Sequence, residues 1–315
     1  MTKTRIAMPR RLRPLADAAA SRIRRLHDRL RAPGVQRLLT AAAAVLFAGG
    51  ALASWFTLDL RIDKLHALPL AAIALIGVPA TVGLNSLETR LSAHALGRRF
   101  AWRSALLITI YASAANMLPL PGGAMVRVAA LRAAGAGWGC SSGVTVAIAL
   151  VWLGAAFGLS AAFLAGAQPA LAASFMLAGT AALTAGLGWL RALSRGWSAG
   201  MRVLAVKLAG IAVTLGRVWL ALAALGVAAS LAQVSVFAVA AVLGSAVSIV
   251  PAGLGVREAV SAGLAPAVAL APAAAFLAAA VNRLVGTGVL AVLAGLCSLA
   301  GLRPPEMAAS SDSAS

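Results

Sequence analysis

Long apolar runs, separated by short polar or basic stretches, dominate the chain. A run of about 18 or more apolar residues is long enough to cross a bilayer as a helix. The candidate spans are residues 38–55, 65–84, 141–166, 170–190, 208–229 and 233–250, with a last one ending near residue 301. The pattern predicts an all-α protein, a polytopic transmembrane helical bundle.

Two apolar segments are interrupted by proline and glycine, which disfavour a regular helix. The first break, after Asn116, contains Pro121, Gly122 and Gly123, and the second contains Pro251, Gly253 and Gly255. Paired interruptions in two halves of a membrane chain are typical of a transporter binding site. Irregular backbone at that depth must be buried or line a cavity. We therefore predict two re-entrant or broken helices.

Composition excludes an ordinary soluble domain. Only 11% of the residues are charged and 61% are hydrophobic, whereas soluble domains carry about a quarter charged residues. Much of the net charge of +19 lies in a basic arm, residues 1–37, which favours a cytoplasmic N-terminus and contact with anionic lipid headgroups. Nucleic acid is not an expected partner, because no aromatic residue is interleaved with these charges. Residues 15–31 have either the pattern of an interfacial amphipathic helix or that of a solvated, partly disordered tail.

Charge also predicts the topology. The basic loops at 90–103 and 191–207 should share the cytoplasmic side, which puts Glu88 at a cytoplasmic edge. Two full spans, 141–166 and 170–190, lie between residue 135 and the second loop, and together they return the chain to the side from which it started. Residues 104–135 must therefore leave and re-enter from one face of the membrane as a hairpin. The same count places the break at 251 on the cytoplasmic side. The prediction is a multi-pass protein of the cell membrane with both termini cytoplasmic, a membrane domain over 38–301, and a disordered tail over 302–315.

Candidate chemistry is confined to a few ionisable residues. Glu258 is the carboxylate within an apolar stretch, and Arg127, Arg217, Arg257 and Arg283 are basic residues in similar settings. Such groups are costly at membrane depth and usually face the protein interior. The alternative is that the arginines snorkel to the interface or mark the cytoplasmic side. With no nucleophile–base pair and no metal-ligand cluster, we expect an anion-binding cavity, not an enzyme, and no cofactor or metal.

Three motifs carry a resemblance to a known family. They are NMLPLPGGAMVR at 116–127, PAGLGVREA at 251–259 and AVNRL at 280–284. Over residues 36–300 the chain resembles the flippase-like membrane domain of lysylphosphatidylglycerol synthases, which is found also as stand-alone proteins. The resemblance implies a bundle with two re-entrant helices and movement of phospholipid or lipid-linked sugar between leaflets. It assigns headgroup binding to Arg127, Arg257, Glu258 and Arg283.

Two departures from the family narrow this expectation. Family members often have an acidic residue where this chain has Ala124, so a local ion pair for Arg127 is not expected. The soluble aminoacyl-transferring domain is also absent, so lysine transfer by this chain alone is not expected.

The leading hypothesis is a protein that binds and translocates an anionic phospholipid or lipid-linked sugar through an Arg/Glu-lined cavity. Glu258 would pair with Arg283 or Arg217 when the cavity is empty, and Asn116 would either cap a helix or bond across helices. One alternative is a non-transporting subunit that presents lipid to a separate glycosyl- or aminoacyl-transferase, and another is a membrane enzyme acting on lipids. The expected partner is membrane lipid, with a second copy of the chain or a lipid-modifying enzyme as the alternatives for a protein partner.

Overall fold

The fold is a bundle of α-helices. The computed structural model describes residues 33–58, 65–116, 122–194, 196–246 and 254–302. The predicted basic arm up to residue 32, the tail from 303, and Pro121, Pro251 and Gly253 lie outside the described residues. The helices are α1 (Pro33–Thr57), α2 (Ala67–Ala95), α3 (Trp102–Ala115), α4 (Gly122–Ala133), α5 (Trp138–Leu164), α6 (Pro169–Ser194), α7 (Trp197–Ala224), α8 (Leu231–Ala246), α9 (Val256–Leu264) and α10 (Pro272–Leu299).

Five of these helices, α2, α5, α6, α7 and α10, are long and apolar enough to cross a membrane. No strand occurs among the described residues. The predicted fold class is therefore confirmed: the protein is an all-α, multi-pass membrane protein.

Two helix ends lie about ten residues from their predicted positions. α2 continues past residue 84 to Ala95, and α7 begins at Trp197 instead of near 208. Lys207, predicted to lie in a cytoplasmic loop, is therefore inside a helix. Pro79 is preceded by a π-helical turn at Ile73–Gly77, as expected where proline removes a backbone donor from the helix.

One end of the bundle is basic. We call it the basic end: α2 and α6 finish there, and α3, α5 and α7 begin there. A hydrophobic cluster that includes Phe100, Leu131, Leu190 and Val203 joins these helix ends. At the opposite end, the amide of His66, just before α2, donates to the Ala224 carbonyl at the end of α7 (3.1 Å).

The first broken segment is a helical hairpin that starts and finishes at the basic end. α3 and α4 have 14 and 12 residues, or about 21 and 18 Å, against a hydrocarbon core of about 30 Å. Arg98, before α3, donates through Nη2 to the carbonyl of Gly135, after α4 (2.7 Å). The two ends of the segment therefore meet, as the charge count predicts for 104–135.

The second broken segment is a hairpin of α8 and α9 that starts from the opposite end. Gln233, near the start of α8, donates through Nε2 to the carbonyl of Ala269, beyond α9 (3.2 Å). At the other end of the hairpin, Gly244 and Arg257 pack together inside the bundle, where a Cβ on the glycine would lie 2.7 Å from the arginine Cβ. The break itself, residues 247–253, lies outside the described residues, so its predicted cytoplasmic position stays a prediction.

α5 and α6 pack closely through glycines. A Cβ on Gly154 would lie 2.6 Å from the Leu183 nitrogen and 2.7 Å from the Gly179 carbonyl oxygen. A Cβ on Gly158 would meet nothing within 4 Å. Gly154 and Gly158 have the spacing of a GxxxG motif, but only at Gly154 would an added side chain collide with α6.

Candidate functional site

A buried carboxylate on α2 binds two cations, and we call these three residues the Glu88 cluster. Oε1 of Glu88 accepts a hydrogen bond from Arg127 Nη1 at 2.9 Å, and Oε2 accepts one from Lys207 Nζ at 2.6 Å. The side chains are 5%, 27% and 12% exposed for Glu88, Arg127 and Lys207. Three helices, α2, α4 and α7, thus meet at one ion-paired group inside the bundle.

Contacts between the end of α3 and the start of α4 position Arg127. Asn116 Oδ1 accepts a hydrogen bond from the Gly123 amide (2.8 Å), so this side chain caps the start of α4. A Cβ on Gly123 would lie 2.7 Å from the Ala112 carbonyl oxygen, and one on Gly122 would overlap the carbonyl of Ala115. Glycine is therefore needed at both positions for α4 to approach α3 this closely.

Sequence reasoning missed two members of the Glu88 cluster. Glu88 was assigned to a cytoplasmic edge and Lys207 to a cytoplasmic loop, whereas the Glu88 side chain is buried and that of Lys207 is only 12% exposed. The absence of a local ion pair for Arg127, expected from Ala124, did not reveal that a distant helix supplies the carboxylate, Glu88. One signal was available: Lys207 has apolar neighbours on both sides, from Ala205 to Ala209. Its Nζ also lies 5.2 Å from the ring centroid of Trp152 on α5.

A second buried carboxylate lies on α9, within a group that we call the Glu258 cluster: Arg217, Arg257, Glu258 and Arg283. Glu258 is fully buried, and its Oε1 lies 3.1 Å from Arg283 Nε on α10. Neither carboxylate oxygen has a well-aligned hydrogen bond among the described residues. Of the two partners that the sequence left open for Glu258, Arg283 is the one in contact.

Arg217 crosses the bundle between α2 and α10. Its Nη1 donates to Thr81 Oγ1 (3.1 Å) and its Nη2 donates to the backbone carbonyl of Asn282 (3.2 Å). Glycines make room for it on both sides, since a Cβ on Gly77 or on Gly286 would lie 2.6 Å from an Arg217 side-chain atom. The guanidinium is held inside the protein, so the snorkelling alternative does not apply to this residue.

Arg257 is the least satisfied of these cations. Its Nε and Nη2 are buried and have no hydrogen-bond partner among the described residues. It lies close enough to Arg283, Arg217 and Glu258 to interact electrostatically with all three. The Glu258 cluster therefore contains three guanidinium groups and one carboxylate, which leaves an excess of two positive charges. The Asn282 side-chain oxygen is also buried without a partner in the described part of the chain.

The two clusters lie at different depths. On α2, Thr81 of the Arg217 contact and Glu88 are seven residues apart, about 10 Å along the helix axis. On α7, Arg217 and Lys207 are ten residues apart, about 15 Å. The sequence predicted one pocket that contains Arg127 and Arg257 together, whereas Arg127 belongs to the Glu88 cluster, nearer the basic end.

The arrangement is suited to binding an anion. Guanidinium groups donate planar, paired hydrogen bonds that match phosphate and carboxylate oxygens. A buried cation with unused donors is costly unless a partner compensates it.

In comparisons with known proteins, the chain matches no protein-family model and no curated protein sequence. The family resemblance therefore stays a prediction that depends on the three motifs.

Proposed function

We propose that the protein binds the headgroup of an anionic phospholipid or lipid-linked sugar at the Glu258 cluster and carries it across the bilayer. The observation that supports this most is Arg257, a buried guanidinium with two unpartnered nitrogen atoms among the described residues. A phosphate in contact with it would replace the hydrogen bonds lost on burial and neutralise the excess positive charge.

The start of α9 suits the same ligand. Gly255 has a φ of +79°, a left-handed conformation that glycine adopts without strain. It turns the chain so that α9 begins in the interior, with Arg257 in its first turn. The free N–H groups of a helix N-terminus favour an anion, and here they lie beside a buried, unsatisfied guanidinium.

Glu258 provides a means of releasing the ligand. With the site empty, Arg283 is held by Glu258 at 3.1 Å. An anionic headgroup would compete with the carboxylate for the arginines, and re-formation of the ion pair would expel the headgroup. α2 and α7 also carry the Glu88 cluster, so a headgroup moving toward the basic end along these helices would meet Arg127 and Lys207 next.

We also propose that the basic end faces the cytoplasm, because loops rich in lysine and arginine remain on that side. Single cysteines replacing Arg99, Arg132 and Ser230 would test this after Cys140 and Cys297 are changed to serine. A membrane-impermeant maleimide should label positions 99 and 132 from the cytoplasmic side and position 230 from the other. Labelling of positions 99 and 132 from opposite sides would refute the first hairpin.

Transport is tested with purified protein in vesicles that contain fluorescent phosphatidylglycerol. We expect the R257A/E258Q double variant to scramble this lipid at least about tenfold more slowly than the native protein, since a hydrogen bond to a charged group contributes roughly 1.5–3 kcal/mol. Arg103→Gln is the control, because it removes an exposed arginine at the basic end. Equal rates for the native protein and the double variant would eliminate the site.

The same vesicles separate transport from presentation. Lipid that co-purifies with the native protein but not with R257A/E258Q, without any scrambling, would favour the subunit that presents lipid to a separate transferase. Loss of scrambling together with the loss of one bound lipid molecule in the double variant is the result that we expect.

A further inference from the structure

A second basic site lies on the surface of the bundle, apart from both buried clusters. A pocket of about 550 Å³ opens at the basic end between the end of α2, the turn that follows it, and α7. Its polar lining consists of Arg90, His94, Arg98, Arg99 and Arg202, and no carboxylate lines it. The size is within the usual range for a small-ligand site, about 300–1,000 Å³.

The arginines of this pocket differ in how they are held. Arg90 donates through Nε to the Phe100 carbonyl (3.3 Å) and lies 5.6 Å from the centroid of the Trp102 ring. Arg98 is anchored to the first hairpin by its bond to the Gly135 carbonyl, described above. The side chains of His94, Arg99 and Arg202 are exposed and form no hydrogen bond or ion pair with the described residues. Two guanidinium groups are therefore fixed in the wall, and two remain available to a ligand.

The pocket opens at the level expected for lipid headgroups. Four exposed tryptophans lie at this end of the bundle: Trp102, Trp138, Trp189 and Trp197. Besides the contact between Arg90 and Trp102, two further arginines stack on these rings. The Arg132 guanidinium carbon lies 4.0 Å from the centroid of Trp138, and that of Arg191 lies 4.8 Å from the centroid of Trp197. Tryptophan is enriched where a membrane protein crosses the boundary between hydrocarbon and water. Because Trp102 contacts Arg90 of the pocket wall, the pocket lies at that boundary.

We propose that this pocket is a separate binding site for a phosphate group, supplied by the headgroup of an anionic phospholipid in the adjacent leaflet. Arg99 and Arg202 would contact the phosphate oxygens from two sides, since guanidinium groups pair with phosphate in a bidentate manner. Arg90 and Arg98 would add positive potential from the wall. A free phosphate ion presents the same oxygens, so the two sources of the ligand must be separated by experiment.

The site does not depend on the proposed transport. Arg90 and Glu88 are neighbours on α2, but Arg90 is exposed and Glu88 is buried, so they serve opposite faces of the helix. The pocket can bind a headgroup whether or not the Glu258 cluster moves one.

The test uses the full chain purified in a neutral detergent. Native mass spectrometry counts the phosphatidylglycerol molecules retained by the native protein, by R99Q/R202Q and by R103Q/R132Q. The last variant is the matched control, because it removes the same charge from exposed positions at the same end but outside the pocket. We expect R99Q/R202Q to lose one bound lipid, with an affinity reduced about 25-fold, since each of the two arginines contributes about a fivefold factor near anionic lipid.

Each outcome decides the proposal. Loss of one phosphatidylglycerol molecule in R99Q/R202Q but not in R103Q/R132Q, with a further molecule lost when R257A/E258Q is added to R99Q/R202Q, assigns the pocket to a lipid headgroup. Binding of inorganic phosphate but not of phosphatidylglycerol, lost in R99Q/R202Q only, keeps the phosphate site and overturns the lipid as its source. Equal retention by R99Q/R202Q and R103Q/R132Q overturns the site, because the effect would then follow overall charge alone.

Discussion

The Glu88 cluster makes a sharp prediction about stability. Glu88→Gln keeps nearly the same side-chain shape but removes the negative charge that Arg127 and Lys207 share. The two cations, with side chains 27% and 12% exposed, would then face each other without a carboxylate. A neutral amide can replace part of the hydrogen bonding but none of the charge.

The size of the effect follows from the burial of the partners. Removing one member of a buried ion pair costs about 3–5 kcal/mol, because the remaining charge is left uncompensated. Arg127 retains some contact with solvent, so we expect a loss of about 3 kcal/mol in the free energy of unfolding, the lower end of that range. Lys207→Met leaves the Arg127–Glu88 pair intact and should cost less, about 1 kcal/mol. In E88Q/K207M the repulsion between the cations is also gone, so the double variant should be more stable than E88Q alone by about 1 kcal/mol or more.

The assay is reversible unfolding in mixed micelles with increasing dodecyl sulfate. The tryptophans, seven in the chain, report the transition by fluorescence. Glu306→Gln is the control for loss of a carboxylate, because Glu306 lies in the predicted C-terminal tail. We expect its unfolding curve to overlay that of the native protein.

Two results would refute the reasoning. E88Q unfolding within about 0.5 kcal/mol of the native protein, the scatter usual for surface substitutions, would mean that Glu88 does not compensate the two cations. A double variant less stable than E88Q would mean that Lys207 stabilises the bundle by packing, not through its ion pair.

Two further predictions concern the glycines that let buried groups approach. Gly77→Ala should lower the free energy of unfolding by about 1–3 kcal/mol, because its methyl group would overlap the Arg217 Cγ inside a packed core. Gly83 lies in the same helix, and a Cβ there would meet no atom within 4 Å. Gly83→Ala should therefore be neutral or stabilising. Gly154→Ala should likewise separate α5 from α6 at a cost of about 1–3 kcal/mol, and Gly158→Ala should not. The same micelle unfolding measures both pairs, and an equal response within either pair would contradict the packing.

The topology could be predicted in part because it depends on local rules. The Pro/Gly break after Asn116 cannot remain a regular helix, and the basic residues on either side of it share one face. Together these required a hairpin, and the bond from Arg98 to Gly135 closes it. The length of the helices on either side of the second break was beyond such counting, because charges in loops say which side a chain reaches but not how far an interrupted helix extends.

The ion pairs were less predictable because their partners are distant in sequence. Arg127 and Glu88 are separated by 39 positions, and Lys207 and Glu88 by 119. A carboxylate near the end of an apolar run has the same local pattern whether it faces water or the bundle interior. For Glu88 that choice depends on how far α2 extends and on which neighbours surround its last turns.

By itself, the sequence determined that this chain lies in a membrane as a bundle of helices with two breaks, because hydrophobicity and helix-breaking residues act over a few neighbouring positions. It also singled out Arg257, Glu258 and Arg283, since charges within apolar runs must be buried together. Tertiary structure alone decided that Arg127 pairs with Glu88 and Lys207 instead of joining them. The reason is that Coulombic attraction depends on distance in space, and only the packing of α2, α4 and α7 brings those three charges together.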